Sequence, residues 1–183
     1  MNLKQTIAHC KKRKPKAEKE LFYHFAPRVF ALCQRYSRDD SEAKDFLQEC
    51  FLRVFDQIHQ YDPERGAFEG WLYRVCTNVV LQQLRRNKRE QAVVLLAEVP
   101  DTEVPETIIR DIPQEKILEA IRSLPEGYQE VFNLYIFEQW SHEEIGRELG
   151  ISASTSRSQL ARAKRLLKKK LLVLIPNIHE RLA

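Results

Sequence analysis

Residues 141–171, SHEEIGRELGISASTSRSQLARAKRLLKKKL, decide the fold. Ser141-His142-Glu143-Glu144 has the S-x-x-E form of a capping box, in which side chains at both ends of the first turn satisfy backbone N–H groups that the helix leaves orphaned. Ile145 and Leu149 then supply one buried stripe, and Gly150 supplies the chain reversal. Ser152 caps the next helix after a turn of only a few residues, with Ile151 wedged between the two. Helices joined this tightly predict a helix-turn-helix. Spaced at about 100° per residue, the second helix divides into two stripes. Ser156, Leu160, Ala163, Leu167 and Leu171 fall on the inner one. Ser154, Arg157, Ser158, Ala161, Arg162, Arg165 and Lys168 fall on the outer one. No acidic residue occurs from Gly150 to Ile175, whereas Arg157, Arg162, Lys164, Arg165, Lys168, Lys169 and Lys170 are all basic. Small Ser and Ala side chains let such a face approach base edges, arginine donates bidentate bonds to guanine, and distal lysines meet phosphates. The competing readings are a solvated charged helix and a basic amphipathic helix on a membrane surface. The coincidence of cap, turn and charge segregation favours DNA.

Working outward, the whole chain fits one ordinary domain or two small ones: 183 residues, 43% hydrophobic and 31% charged. Its formal charge of +4 is too mild to identify a polyanionic partner; the placement of the charges carries the information. Only five glycines occur, the first of them Gly66, so long stretches of good helix formers run uninterrupted and an all-α fold is expected. Cys10, Cys33, Cys50 and Cys76 form no CxxC or Cys/His cluster, which argues against a zinc site and a secreted disulfide scaffold and for reduced thiols in a cytosol. No metal, cofactor or catalytic residue is expected. No apolar stretch approaches the roughly 18 residues of a membrane span, and the lysine-rich start lacks the hydrophobic segment of a signal peptide, so a cytoplasmic protein without membrane insertion is expected.

From residue 91 to 113 the composition changes. Pro100, Pro105 and Pro113 lie close together, and Glu98, Asp101, Glu103, Glu106 and Asp111 are opposed only by Arg110. This reads as an acidic linker. It implies a basic N-terminal tail over 1–16, a helical domain over 17–90, the linker over 91–113, the helix-turn-helix domain over 114–175 and a C-terminal tail over 176–183. In the first domain, helices are predicted from Glu18 to Arg35, interrupted or bent near Pro27, from Ser41 to Ile58, and from Ala67 to Lys88. A turn is predicted over Tyr61–Gly66. In the second, Leu124-Pro125 separates a helix over Gln114–Ser123 from one over Glu126–Glu138.

Two faces of the first domain stand out. On the helix from Ser41 to Ile58, Phe46, Leu47, Cys50, Phe51, Val54 and Ile58 form the core side, while Asp45, Gln48, Glu49, Leu52 and Asp56 fall opposite. Leu52 thus sits in the middle of a polar face, like the apolar centre and polar rim of a protein interface; a lone exposed leucine is equally ordinary. On the next helix, Phe68, Trp71, Leu72, Val75 and Val79 make the inner stripe. Arg74, Thr77, Asn78, Leu81 and Arg85 are expected outward, followed by the basic end Arg85-Arg86-Asn87-Lys88-Arg89. Such a face either reads base edges and phosphates, with Tyr73 near enough to stack on an unpaired base, or is a solvated helix end favoured by the dipole.

The segment Asp45-Phe46-Leu47-Gln48-Glu49-Cys50-Phe51-Leu52-Arg53-Val54-Phe55, with Phe68-Glu69-Gly70-Trp71-Leu72 and Arg74-Val75-Cys76-Thr77-Asn78, resembles the second conserved region of bacterial sigma factors. Leu124-Pro125-Glu126-Gly127-Tyr128-Gln129-Glu130-Val131-Phe132 and Ser141 through Ala163 resemble the fourth. With just these regions and a short linker, the chain is similar to the extracytoplasmic-function group, over nearly everything from Lys16 to Leu172. The resemblance implies a sigma region 2 helical bundle and a sigma region 4 helix-turn-helix. It implies that Asp45, Gln48, Glu49 and Leu52 dock on the beta-prime clamp helices of core RNA polymerase, with the beta flap as a further contact. It implies that Arg74, Asn78, Gln82 and Arg85, with the loop before Gly66, engage the minus-ten element and help open the duplex. Ser154, Arg157, Ser158, Ala161, Arg162 and Arg165 correspond to the face that reads the minus-thirty-five element. Promoter DNA and an anti-sigma factor are the other implied partners, and the linker resembles the segment that threads polymerase channels. The chain departs from the family's pattern at Ser154-Thr155-Ser156, where Gly-Thr-Val is commoner, at Ala161 and at Gly146, where alanine is common. Two rivals stay open at this point: a DNA-binding regulator acting without polymerase, and a thiol-dependent enzyme using Cys76 or Cys10.

Overall fold

The computed structural model describes residues 2–87 and 112–173, and the chain divides into two compact units between residues 92 and 93. The described residues form eight α-helices and no strand. The first unit holds α1 (Leu3–Cys10), α2 (Pro15–Tyr36), α3 (Asp40–Gln57) and α4 (Phe68–Asn87), with two 3₁₀ turns, Ile58–Gln60 and Pro63–Arg65, between α3 and α4. Helix α3 packs against both α2 and α4, and α2 also meets α4. Leu21, Phe25, Val29 and Leu32 of α2, Ala43, Phe46, Cys50 and Val54 of α3, and Leu72, Cys76 and Val80 of α4 are buried together in this unit. Asp39 starts α3: its Oδ1 accepts from the Glu42 N–H at 2.9 Å.

Three expectations need correction. The stretch over 1–16 is no tail throughout: α1 packs on α2, burying Thr6, Ile7 and Cys10. Its apolar residues recur at helical spacing, but the dense lysines around them mask the pattern. Helix α2 is not interrupted at Pro27 but continues through it. Pro27 is exposed, and the buried residues on either side, Phe25 and Val29, hold both halves of the helix to one core, so packing overrides the lost backbone bond. On α4, Thr77 and Leu81 are buried rather than outward. A helix wedged between two neighbours buries a wider arc than the single stripe expected.

The second unit holds α5 (Gln114–Arg122), α6 (Glu126–Ile136), α7 (His142–Leu149) and α8 (Ala153–Val173). The Ser141–Glu144 capping box is complete, with each side chain bonded to the other's backbone. Gly150 closes α7 at φ 68°, ψ 32°, a left-handed geometry that a Cβ disfavours. Ser152 Oγ then accepts from the Thr155 N–H at 3.0 Å and starts α8. The predicted inner stripe of α8, Ser156, Leu160, Ala163, Leu167 and Leu171, is buried throughout. Its lower part packs with Ala120, Ile121 and Leu124 and with Ile112, which belongs to this core rather than to a solvated linker. The predicted linker over 91–111, the basic end at Lys88 and Arg89, and the predicted tail over 176–183 lie outside the described residues.

Candidate functional site

The exposed ridge of α3 separates two grooves. Asp45 and Glu49 line one of about 500 Å³, together with Arg38, Asp39, Glu42 and Gln83. Gln48 and Leu52 line the other, about 320 Å³, against Phe22, Leu47, Phe51 and Phe55. The Phe22 and Phe51 rings meet edge-on at 4.7 Å, and Phe51 and Phe55 follow at 5.8 Å. Leu52, 57% exposed, stands at the lip of this aromatic floor. One helix face therefore offers carboxylates on one flank and an apolar slot on the other. The aromatic floor escaped sequence reasoning: Phe22 comes from α2, and no periodicity within α3 reveals it. Arg38 limits the acidic groove, held there by Glu42, whose Oε2 accepts from the Arg38 N–H at 2.7 Å and Oε1 from its Nη2 at 3.0 Å.

On α4, Arg74, Asn78, Gln82 and Arg85 are all exposed and succeed one another at helical spacing along one side. Tyr73 is half-buried; burial raises its pKa, while a hydrogen bond with Arg28 opposes that rise. The loop at the start of α4 is built, not loose. Tyr61 packs its ring against Phe68 at 5.1 Å and Trp71 at 5.7 Å, and its hydroxyl donates to the Gly66 carbonyl at 3.1 Å. Asp62 Oδ1 accepts from the Glu64 N–H at 3.0 Å. Gly66 has φ 141°, a conformation that side-chain-bearing residues rarely adopt, so the loop depends on glycine there.

On α8, Ser154, Arg157, Ser158, Ala161 and Arg162 are exposed, and Arg165 is half-buried. Two of the arginines have partners within the unit: Arg157 Nη1 lies 3.8 Å from Glu143 Oε1, and Arg162 Nη1 donates to the Tyr128 hydroxyl at 3.4 Å. The buried Ser156 is explained by its partner. Its Oγ lies 2.9 Å from His142 Nδ1, and the His142 ring stacks on Tyr135 at 4.6 Å. A polar residue at a core position of α8 is thereby satisfied by the helix before it. Burial, and then the charge of Arg157, hold the His142 pKa below 6.5; Lys164 acts the same way and Glu143 against them. The fold thus favours neutral His142, so its contribution to stability is complete above the unfolded value of 6.5 and is lost as pH falls through the folded one. An NMR titration should place His142 below 6.5, and a His142→Gln chain should lose part of the acid-side decline in melting temperature. A titration at or above the ordinary imidazole value would refute this.

The four cysteines are free and buried. Burial pushes the Cys10 thiol up to about 11, with Glu18 and Glu20 adding to it, and a hydrogen bond with Cys50 pushes Cys33 up. The burial of Cys76 and the raised Cys10 thiol, which makes a poor nucleophile, count against the thiol-enzyme rival. Among the described residues no group of three His, Cys, Asp or Glu side chains is placed to hold a metal, and no helix is long and apolar enough to cross a membrane.

Both units match known families. Residues 21–90 match Sigma-70 region 2 and residues 114–167 match Sigma-70 region 4. The RNA polymerase sigma factor CarQ of Myxococcus xanthus is 31% identical over 157 residues, an alignment covering 84% of this chain and 88% of that one. The chain belongs to the extracytoplasmic-function sigma factors. Among members of this family, the sigma factor SigW of Bacillus subtilis is 29% identical over 93% of this chain and 97% of its own length. SigE of Mycolicibacterium smegmatis is 37% identical over 81% of this chain, which spans 59% of that relative's length. The fold is similar to that of the sigma factor RpoE solved with the anti-sigma factor NepR from Bartonella quintana, with TM-score 0.56 and 19% identity over 85% of this chain and 96% of that one.

Proposed function

We propose that this sigma factor joins core RNA polymerase, recognises both promoter elements with separate helical units, and nucleates strand separation, catalysing nothing alone. The observation that carries this reading is the presence, in two units of one chain, of an exposed apolar residue set between carboxylates on α3 and of two outward polar and basic helix faces on α4 and α8. The α3 ridge suits a polymerase helix that brings basic residues over Asp45 and Glu49 and an apolar side chain beside Leu52. The α4 face and the built 61–66 loop suit capture of an unpaired base. Extruding a base from the stack costs a few kcal/mol, which binding in a preformed protein pocket offsets. The α8 face suits the major groove, with Arg157 and Arg162 reading bases and Lys169 and Lys170 meeting phosphates. Linking two weak readers on one chain multiplies their affinity through effective concentration. An anti-sigma protein would act by covering the α3 grooves and the second unit.

The test is transcription with purified components. Start sites mapped after forced expression define promoters; this chain with core polymerase should initiate specifically at them, and neither should do so alone. A regulator acting without polymerase would bind the same DNA and confer no specific initiation.

A further inference from the structure

We propose that the turn joining α1 to α2, together with the first residues of α2 (Lys11–Lys16 in all), is an additional nucleic-acid contact that holds phosphates of the unpaired strand where it runs on, downstream, from the 61–66 loop. This rests on the reading of α4 and that loop as the minus-ten site.

The chain carries no acidic residue before Glu18, and Lys11, Lys12, Arg13 and Lys14 crowd into the turn, with Lys16 in the first turn of α2. All five are exposed. What makes them more than a charged tail is that the fold anchors them. Helix α1 buries Ile7 and Cys10, and Thr6 Oγ1 donates to Glu20 Oε2 at 3.2 Å across to α2. The reversal itself is closed by the Lys14 N–H donating to the His9 carbonyl at 3.2 Å and the Arg13 N–H to the Cys10 carbonyl at 2.8 Å. Arg13 sits there at φ 53°, a left-handed position where glycine or asparagine would be at ease. A long cation in that place sacrifices local comfort, and strain of this kind is a pointer to function.

The turn also has an address. Lys11 Nζ donates to the Tyr61 carbonyl at 2.7 Å and lies 5.8 Å from the centre of the Tyr61 ring, while Arg13 Nη2 meets Asp56 Oδ1 at 3.3 Å. The basic turn therefore abuts the base-capturing loop. On the proposed reading, in which α4 takes the upstream edge of the element as the family resemblance implies, a strand passing along α4 and over the loop reaches the turn with its downstream nucleotides. The turn exposes only cations and Pro15, with no apolar centre of the kind a protein partner requires, and a row of cations on an ordered frame fits a row of phosphates.

The experiment uses holoenzyme and forked probes of a mapped promoter whose single strand ends either at the downstream edge of the minus-ten element or about six nucleotides beyond it. The wild type should bind the longer probe about tenfold more tightly at low salt, with a salt slope steeper by about 2, as expected for three phosphates on single-stranded DNA at about 0.7 each. The combined Lys12→Ala, Lys14→Ala and Lys16→Ala chain should match the wild type on the short probe and in polymerase affinity, yet lose the advantage of the longer one. The corresponding three Lys→Arg changes should restore it. An alanine chain that keeps the advantage overturns the proposal, as does one that instead loses affinity for polymerase, which would make the turn a protein contact. If wild-type holoenzyme fails to distinguish the short probe from one with a scrambled minus-ten element, the parent reading fails and takes this one with it.

Discussion

Replacing Leu52 with glutamate is expected to weaken binding to core RNA polymerase by about 2–4 kcal/mol, roughly 30- to 1,000-fold, the range of an interface hot spot. The side chain is 57% exposed and belongs to no core, so the change removes nothing that holds the first unit together. Glutamate is nearly as good a helix former as leucine, and surface changes of this kind usually alter stability by less than about 0.5 kcal/mol. The loss instead comes from the site. A carboxylate placed at the mouth of the Phe22, Phe51 and Phe55 groove must be desolvated when a partner closes over it, and Asp45 and Glu49 on the same ridge already supply negative charge. Fluorescence titration of labelled chain with core polymerase measures the effect, with thermal melting as the control. Unchanged affinity would mean that the α3 ridge is not the docking face.

Replacing Arg157 with alanine should relax discrimination at the minus-thirty-five element by about 1–3 kcal/mol, the worth of one bidentate guanine contact. Arg157 stands on the outer face of α8 one position from the buried Ser156, and its pairing with Glu143 at 3.8 Å, between side chains 56% and 68% exposed, is too weak to keep it from a base. Lys169, exposed further along α8, is the comparison. Its replacement should lower affinity for all sequences alike and reduce the salt dependence by about one phosphate. Competition binding with base-substituted promoters separates the two. Full discrimination by the Arg157→Ala chain would show that the helix has been phased wrongly against DNA.

The helix-turn-helix was legible because each of its devices is local. A capping box spans four residues, a left-handed glycine closes one turn, and the stripe from Ser156 to Leu171 repeats within a single helix. The α4 face was legible only in part. Arg74, Asn78, Gln82 and Arg85 do lie outward, but Thr77 and Leu81 turned inward because α4 is flanked by both α2 and α3. A one-stripe reading has no access to the number of neighbours. Leu52 was noticed as an anomaly among polar residues, whereas the groove that gives it meaning was not, since Phe22 reaches it from another helix.

By itself, then, the order of residues determined the helices, their caps, the outward phase of α8 and the membership of both units in their families, since these depend on periodicities and spacings within a few turns. Tertiary structure alone decided that the lysine-rich start is an anchored helix and turn, that this turn lies against the 61–66 loop through Lys11 and Tyr61, and that His142 completes Ser156. Each of these joins residues from different elements, 50 positions apart for the first pair and 14 for the second. Contacts of that kind follow from how packed helices share space, which no local pattern encodes.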